Sequence, residues 1–156
     1  MKPFVVNVKS PVGVWSVLGT EDGVQHIHLP HETLPASKGS PPKPVADAAQ
    51  QLQEYFAGTR RSFKVKLSAF PATSFQSDVW NALRAIPYGE VRTYGEVADA
   101  VQRPRAHRAV GNANHANPWP IIVPCHRVVA SGGLGGYGGG DQVKRYLLDL
   151  EGVHYD

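Results

Sequence analysis

The sequence predicts a two-part α+β protein: a small, mainly antiparallel sheet with one covering helix, then a mostly helical part built around a helix-turn-helix. Three observations predict it. Apolar and polar residues alternate with period two from Phe4 to Leu29, broken by the turn signals Ser10-Pro11-Val12-Gly13 and Glu21-Asp22-Gly23. A helical period follows in Val45, Ala48, Ala49, Leu52, Tyr55 and Phe56. Beyond about residue 70 two helix-capping boxes stand close together, Thr73-Ser74-Phe75-Gln76 and Thr93-Tyr94-Gly95-Glu96. The expected division is residues 1–70 and 71–156.

In the first part, Phe4, Val6 and Val8 alternate with Val5, Asn7 and Lys9; the strands Val14-Trp15-Ser16-Val17-Leu18 and Val24-Gln25-His26-Ile27-His28-Leu29 follow. His26 and His28 share a face, with His31 shortly after, but no cysteine or carboxylate pair stands beside them in the sequence, so no metal is expected. Residues 30–44, rich in Pro, Ser, Gly and Lys, read as a surface loop. Gly58 is placed to end the helix, and Phe63, Val65 and Leu67 alternate with Ser62, Lys64 and Lys66 as a further strand.

In the second part, Phe75, Val79, Leu83 and Ile86 line one helix face, and Pro87-Tyr88-Gly89 stops it. The second capped helix buries Val97 and Val101 and breaks at Gln102-Arg103-Pro104. A third helix is expected over 104–114, with Pro104 in its first turn. Its surface carries Ala106, Ala109, Gly111 and Ala113, with Arg105, Arg108 and Asn112 as the long or polar members. Small side chains allow close approach to a partner, which suits a narrow nucleic-acid groove and equally suits packing on another helix. Residues 142–150 form a final amphipathic helix with Val143, Tyr146, Leu147 and Leu150 inward.

Chemistry concentrates at Ile121-Ile122-Val123-Pro124-Cys125-His126-Arg127-Val128. The apolar run reads as a buried strand that Pro124 ends, delivering the only cysteine of the chain beside a histidine. A free thiol titrates near ~8.5, so catalysis at neutral pH needs a base or cation close by; His126 and Arg127 are candidates. Adjacent residues of an extended strand face opposite ways, so His126 reaches Cys125 only if the chain turns after Pro124 or a water bridges them. Gly133-Leu134-Gly135-Gly136-Tyr137-Gly138 matches a dinucleotide fingerprint in letters alone. Too little chain remains for the helix, second strand and ribose-binding acid that such a site needs. A glycine loop that lets a flat ligand lie against backbone, with Tyr137 as its lid, is the better reading.

Composition narrows the function classes. One cysteine rules out an internal disulfide and a Cys-rich zinc centre and suits a reducing compartment. No apolar run has membrane-spanning length and no signal-peptide core follows Met1, so an intracellular protein is expected. The formal charge of +3 is modest, yet no acidic residue falls between Asp99 and Asp141, where Arg103, Arg105, Arg108 and Arg127 stand with His107, His115 and His126.

With Pro124-Cys125-His126-Arg127-Val128 joined to Arg108-Ala109-Val110-Gly111 and Asn117-Pro118, the chain resembles the 6-O-alkylguanine-DNA alkyltransferases. The likeness is strongest from about Phe75 to Gly152. It implies a ribonuclease-H-like first part, and a single-turnover transferase that moves an alkyl group from 6-O-methylguanine in double-stranded DNA to a cysteine, acceptance of 4-O-methylthymine being left open. By the resemblance Cys125 is the nucleophile, His126 the water-linked base and Glu151 the carboxylate that orients it. Tyr94 assists the departing base oxygen and rotates the target phosphate, and Asn117 is a hinge. Arg108 enters from the minor groove and fills the gap left by the flipped base, on a surface of Arg105, Ala106, Ala109, Gly111 and Asn112. Tyr137, Val128, Trp119 and Gly138 belong to the implied base pocket.

The sequence departs from some relatives at Asn112, where many have a smaller residue, and at Gly138, where some have a serine able to bond the base oxygen. It lacks the amino-terminal cysteine and histidine zinc site of some eukaryotic members, so no metal or other cofactor is implied. A monomer is expected, cooperative assembly on DNA being left open. The alternatives are an alkyltransferase-like binder of damaged DNA, which replaces the cysteine, a helix-turn-helix regulator reading the major groove, and a cysteine hydrolase, for which no oxyanion hole is evident.

Overall fold

A computed structural model describes residues 2–155. The chain divides into two compact units, one ending at Phe70 and the other beginning at Pro71. The mixed α+β architecture is as expected.

The first unit is a three-stranded antiparallel sheet in the order β1 (Phe4–Ser10), β2 (Gly13–Thr20), β3 (Gly23–His28), covered by α1 (Lys43–Phe56). Val8, Trp15, Val17 and Ile27 of the sheet and Val45, Leu52 and Tyr55 of the helix are fully buried. A β-carbon on Gly19 would lie 3.0 Å from Val45, which fixes this as the helix-facing side. The β2–β3 ladder pairs Leu18 with His26 but Gly19 with Val24, leaving Gln25 as a bulge. That extra residue resets the pleat, so Val24 and Ile27 both point at α1 while His26 and His28 point away.

Two expectations for this unit change. Residues 62–67 do not form a strand: the backbone N–H and C=O of Lys64 are taken by the Gln51 carboxamide, and only Val24 bridges to Leu67. A side chain of α1 thus satisfies backbone that a neighbouring strand would otherwise pair. The 30–44 loop is not featureless either, because Pro30–Glu32 form a 3₁₀ turn and Lys43 and Pro44 already belong to α1.

The second unit holds α2 (Ser74–Arg84), α3 (Tyr94–Ala100), α4 (His107–His115) and α5 (Asp141–Leu150), with a two-stranded parallel pair, β4 (Arg92–Thr93) and β5 (Val128–Val129). Both capping boxes form: Thr73 accepts from the Gln76 amide and Thr93 from the Glu96 amide, each at 3.1 Å, with the reciprocal bonds present.

α4 starts later than expected. The Ala106 amide bonds the Arg103 carbonyl at 2.9 Å, closing a turn over Pro104 and Arg105, so proline serves the second position of a β-turn and not the first turn of the helix. The inward face of α5 is also rotated from the expected one. Val143, Lys144, Leu147 and Leu148 are buried, while Tyr146 and Leu150 are half-buried. The i, i+4 pairs 143/147 and 144/148 share that face, and a lysine in the middle of it is what a hydropathy pattern hides.

Candidate active site

The segment expected to be a strand is a tight, clamped turn. Pro118 and Pro120 remove two donors, Ile121 adopts φ 75°, and the Val123 amide bonds the Trp119 carbonyl at 2.8 Å. A β-branched residue in the left-handed region costs on the order of 1–3 kcal/mol and persists only where the surroundings enforce it. Asn117 enforces it here: its Nδ2 donates to the Val123 carbonyl at 2.8 Å and its Oδ1 accepts the Trp119 amide at 3.0 Å. Pro124 (φ −81°, ψ 67°) is the centre of an inverse γ-turn closed by the Cys125 amide on the Val123 carbonyl. Cys125–Arg127 then form one 3₁₀ turn, so the chain does turn after Pro124.

This turn swings Cys125, His126 and Arg127 into the interior. Their exposures are 6%, 0% and 6%, and that of Glu151, from the end of α5, is 6%. His126 Nε2 lies 2.7 Å from one Glu151 oxygen. Arg127 grips the same carboxylate with Nε at 2.8 Å and Nη2 at 3.1 Å, donates Nη1 to the Ile86 carbonyl at 2.8 Å, and has its guanidinium 5.8 Å from the centre of the Tyr88 ring. The Gly89 amide adds a fourth donor to Glu151 at 3.1 Å. Arg127 and His126 therefore leave the basic surface read from the sequence: Arg127 balances the buried carboxylate and His126 hydrogen-bonds to it.

The protonation states follow. Burial acts to raise the Glu151 carboxyl, but the His126 hydrogen bond and the Arg127 guanidinium outweigh it, and the group is held well below the usual carboxylate range. Burial lowers His126 against the opposing pull of Glu151, so the imidazole is neutral at neutral pH. A neutral imidazole facing a carboxylate must carry its proton on Nε2. Nδ1 then holds a lone pair, and it is buried with no hydrogen-bond partner. That is the geometry of an oriented base.

Cys125 is a thiol at rest. Burial pushes it above the ordinary value, while the Asn117 side chain, the Lys144 ammonium and the Tyr137 hydroxyl pull the other way. Lys144, which hydropathy reasoning passed over, is fully buried and donates to the Val128 carbonyl at 2.6 Å and the Gly136 carbonyl at 3.0 Å. Burial lowers it to about 8, with Cys125 and Asp141 opposing. Lys144 is thus the cation beside the sulfur, the part the sequence offered to Arg127. The nearest sequence signal was an isolated lysine three residues before the Leu147-Leu148 pair, on a helix otherwise apolar on that side.

Tyr94 reaches the same place from α3. The parallel pairing of Arg92-Thr93 with Val128-Val129 sets the start of that helix beside the cysteine turn. The Tyr94 hydroxyl donates to the Gly136 carbonyl at 3.3 Å, and burial raises its pKa, so it remains protonated. Gly135 has φ 76°, and a β-carbon there would stand 2.9 Å from the Ala130 amide and 3.1 Å from the Tyr94 ring. Only glycine lets this loop close over both. The Tyr137 hydroxyl is buried, lacks a partner at hydrogen-bonding geometry, and is pushed well above the phenol range, first by burial and then by Cys125. Gly138 is exposed in the turn that leads to α5.

On α4, Arg108, Ala109 and Asn112 are exposed, as is Arg105 in the preceding turn; Ala106 and Gly111 are half-buried. Ala113 and Val110 face the core, and the Trp80 indole donates to the Ala113 carbonyl at 2.9 Å. The small residues therefore divide, Ala113 packing inward and Ala109 meeting solvent. Trp119 stands edge-on to Trp80, ring centres 5.9 Å apart, as a buried wall and not an open face. Asn114, absent from the sequence reading, donates from α4 to the Cys125 carbonyl at 3.3 Å.

Two family models match the chain: the DNA binding domain of 6-O-methylguanine DNA methyltransferase over residues 74–153, and its ribonuclease-like domain over residues 7–69. The chain belongs to the 6-O-methylguanine DNA methyltransferase family. Among its relatives, the methylated-DNA–protein-cysteine methyltransferase of Methanosarcina acetivorans is 46% identical over 149 residues, covering 92% of this chain and 95% of the relative. The constitutive enzyme of that name from Bacillus subtilis is 40% identical, with 97% of each chain covered. The structure of Mycobacterium tuberculosis OGT in complex with DNA superposes with a TM-score of 0.83 at 44% identity, over 95% of this chain and 92% of that one. Membership agrees with the resemblance read from the cysteine turn and α4. Among the described residues of this methyltransferase-family chain, no helix is long and apolar enough to cross a membrane.

Proposed function

We propose that this chain repairs alkylated DNA by direct reversal, moving the alkyl group of 6-O-methylguanine in duplex DNA onto Cys125 in a single, irreversible turnover. The observation that carries the reading is the buried Cys125 turn. The thiol and the imidazole lie in adjacent residues of that turn, the imidazole is oriented by the ionised Glu151 carboxylate from the end of α5, and its lone pair on Nδ1 is uncommitted.

The chemistry divides among these groups. The thiol proton passes to His126 Nδ1, directly or through a water, and the imidazolium so formed is stabilised by Glu151. Lys144 and Asn117 stabilise the thiolate. The sulfur attacks the methyl carbon in line with the guanine oxygen; an S–C bond forms, the C–O bond breaks, and its electron pair returns to the base. The Tyr94 hydroxyl is a protonated donor available to the product base. Because S-methylcysteine is a thioether with no leaving-group route back, turnover stops after one event. 4-O-methylthymine is a second substrate to be tested.

A base inside a duplex must be extruded before sulfur can reach it, which costs a few kcal/mol of stacking and pairing. The exposed face of α4, with Arg108, Ala109 and Asn112, and Arg105 in the turn before it, suits a shallow groove approach in which Arg108 occupies the gap. Tyr137, Gly138 and the Val128 backbone border the pocket that receives the base, and Trp119 backs it. The chain acts as a monomer. A pure damage binder would need neither thiol nor oriented base, and both are present.

Incubation with a duplex carrying 6-O-methylguanine is expected to add one methyl group to Cys125, located by peptide mass spectrometry, and then to cease. Continued turnover or an unmodified Cys125 would overturn the reading. Arg108→Ala is expected to slow repair of duplex at least roughly tenfold while leaving reaction with free 6-O-benzylguanine nearly unchanged, because only the duplex needs its gap filled. An equal loss with both substrates would assign the arginine some other role.

A further inference from the structure

The first unit carries a side-chain cluster that the proposed chemistry does not use. His26, His28 and Glu32 bring three ligand atoms to within 4.8 Å of one another. We propose that they form a binding site for a divalent transition metal of the zinc class, a two-histidine, one-carboxylate site that clips β3 to the turn following it.

Local structure builds this arrangement in three steps. The bulge at Gln25 turns His26 and His28 to the side of the sheet away from α1, and their rings stand 4.2 Å apart at 32°. The chain then folds back as the Pro30–Glu32 turn, which brings Glu32 to the histidine pair. Finally, that turn is fastened to the same sheet face. Thr33 Oγ1 donates to the Val14 carbonyl at 2.6 Å, the Leu34 amide donates to Ser16 Oγ at 2.9 Å, and Asn7 Nδ2 donates to the Leu34 carbonyl at 3.0 Å. Ser16 is the cross-strand partner of His28. The carboxylate is thus held over the histidines by a fixed loop and not by chance.

The donor set fits the ion. Metal–nitrogen and metal–oxygen bonds of roughly 2.0–2.2 Å ask for ligand atoms about 3–3.5 Å apart, within reach of small side-chain rotations from the observed spacing. Glu32 Oε1 accepts the Leu29 amide at 3.3 Å, which orients the carboxylate and leaves Oε2 as the ligand atom, 3.9 Å from His31 Nε2. Two imidazoles and a carboxylate, with no thiolate, select zinc, nickel or copper over calcium or magnesium. All three side chains retain solvent access, so water completes the coordination. Glu32, and not the His31 that the sequence grouped with the other two, completes the cluster among the described residues.

The test uses the full chain with Cys125→Ser, which removes the only thiol as a competing zinc ligand. Titration with zinc chloride by calorimetry is expected to show one equivalent bound and a rise in melting temperature. His28→Gln and, separately, Glu32→Gln in that background should each weaken zinc binding at least tenfold and abolish the thermal shift. Cobalt should give a visible d–d band that both variants lose. In the Cys125-bearing protein, His28→Gln should leave the rate of methyl transfer unchanged. Absence of zinc binding, or binding that neither variant alters, would refute the site.

Discussion

Glu151→Gln lowers stability by about 3–5 kcal/mol, because it leaves the buried Arg127 guanidinium without its anion. At ~2–4 °C per kcal/mol for a chain of this size, that is a fall in melting temperature of roughly 6–20 °C. The glutamine keeps the shape and can still meet the Gly89 amide, so the loss isolates the charge. Methyl transfer falls as well, since His126 loses the partner that fixes its tautomer. A change below about 1 kcal/mol, the range of an exposed pair, would show that the carboxylate is not the keystone described.

The pH dependence has a definite sign. The folded Glu151 carboxyl titrates below its ordinary value of 4.5, so the native state binds fewer protons than the unfolded chain. Its contribution is fully present above that value and is lost as pH falls through the folded one. His126 acts in the same direction from higher pH: its folded pKa lies below 6.5, and the unfolded chain takes up a proton that the native state refuses. Acid destabilisation should therefore begin near pH 6.5 and steepen below 4.5. In Glu151→Gln the second, steeper part should flatten, which equilibrium unfolding at a series of pH values will measure.

Lys144→Met slows methyl transfer at neutral pH by roughly tenfold or more, the consequence of removing an adjacent cation from a group that must ionise. The rising limb of the rate–pH profile should move to higher pH. Methionine fills the buried volume but leaves the Val128 and Gly136 carbonyls without the ammonium, so the glycine loop loses an anchor as well. Affinity for unmodified duplex separates the two effects, because α4 does not depend on Lys144. An unshifted pH profile would mean that the lysine is only a strut.

The capping boxes at Thr73 and Thr93, the hairpins and the amphipathic faces of α1 and α2 were legible because their determinants are local. A hydroxyl three residues before its amide, or an apolar residue every third or fourth position, interacts within its own segment. Where neighbours in space replaced neighbours in sequence, pattern reading failed. Residues 62–67 alternate like a strand, yet Gln51 of α1 takes the Lys64 backbone groups. Ile121 to Val123 are as apolar as any strand, yet two prolines and the Asn117 clamp bend them into a turn with Ile121 at φ 75°. Arg127 looks like a surface cation until Glu151, twenty-four positions later, receives it in the interior.

By itself the sequence determined the two-part α+β architecture, the lone cysteine beside a histidine, the acid-free stretch around α4 and the family to which these belong. These are properties of composition and short-range order, so they survive without coordinates. Only the tertiary structure decided which charges are buried, which imidazole nitrogen is left as the base, which lysine attends the sulfur, and that Glu32 and not His31 joins His26 and His28. Each of those depends on how far apart two groups lie in space and on how much water is excluded between them. Desolvation and Coulomb energies are functions of that geometry, and hydropathy order along the chain carries no record of it.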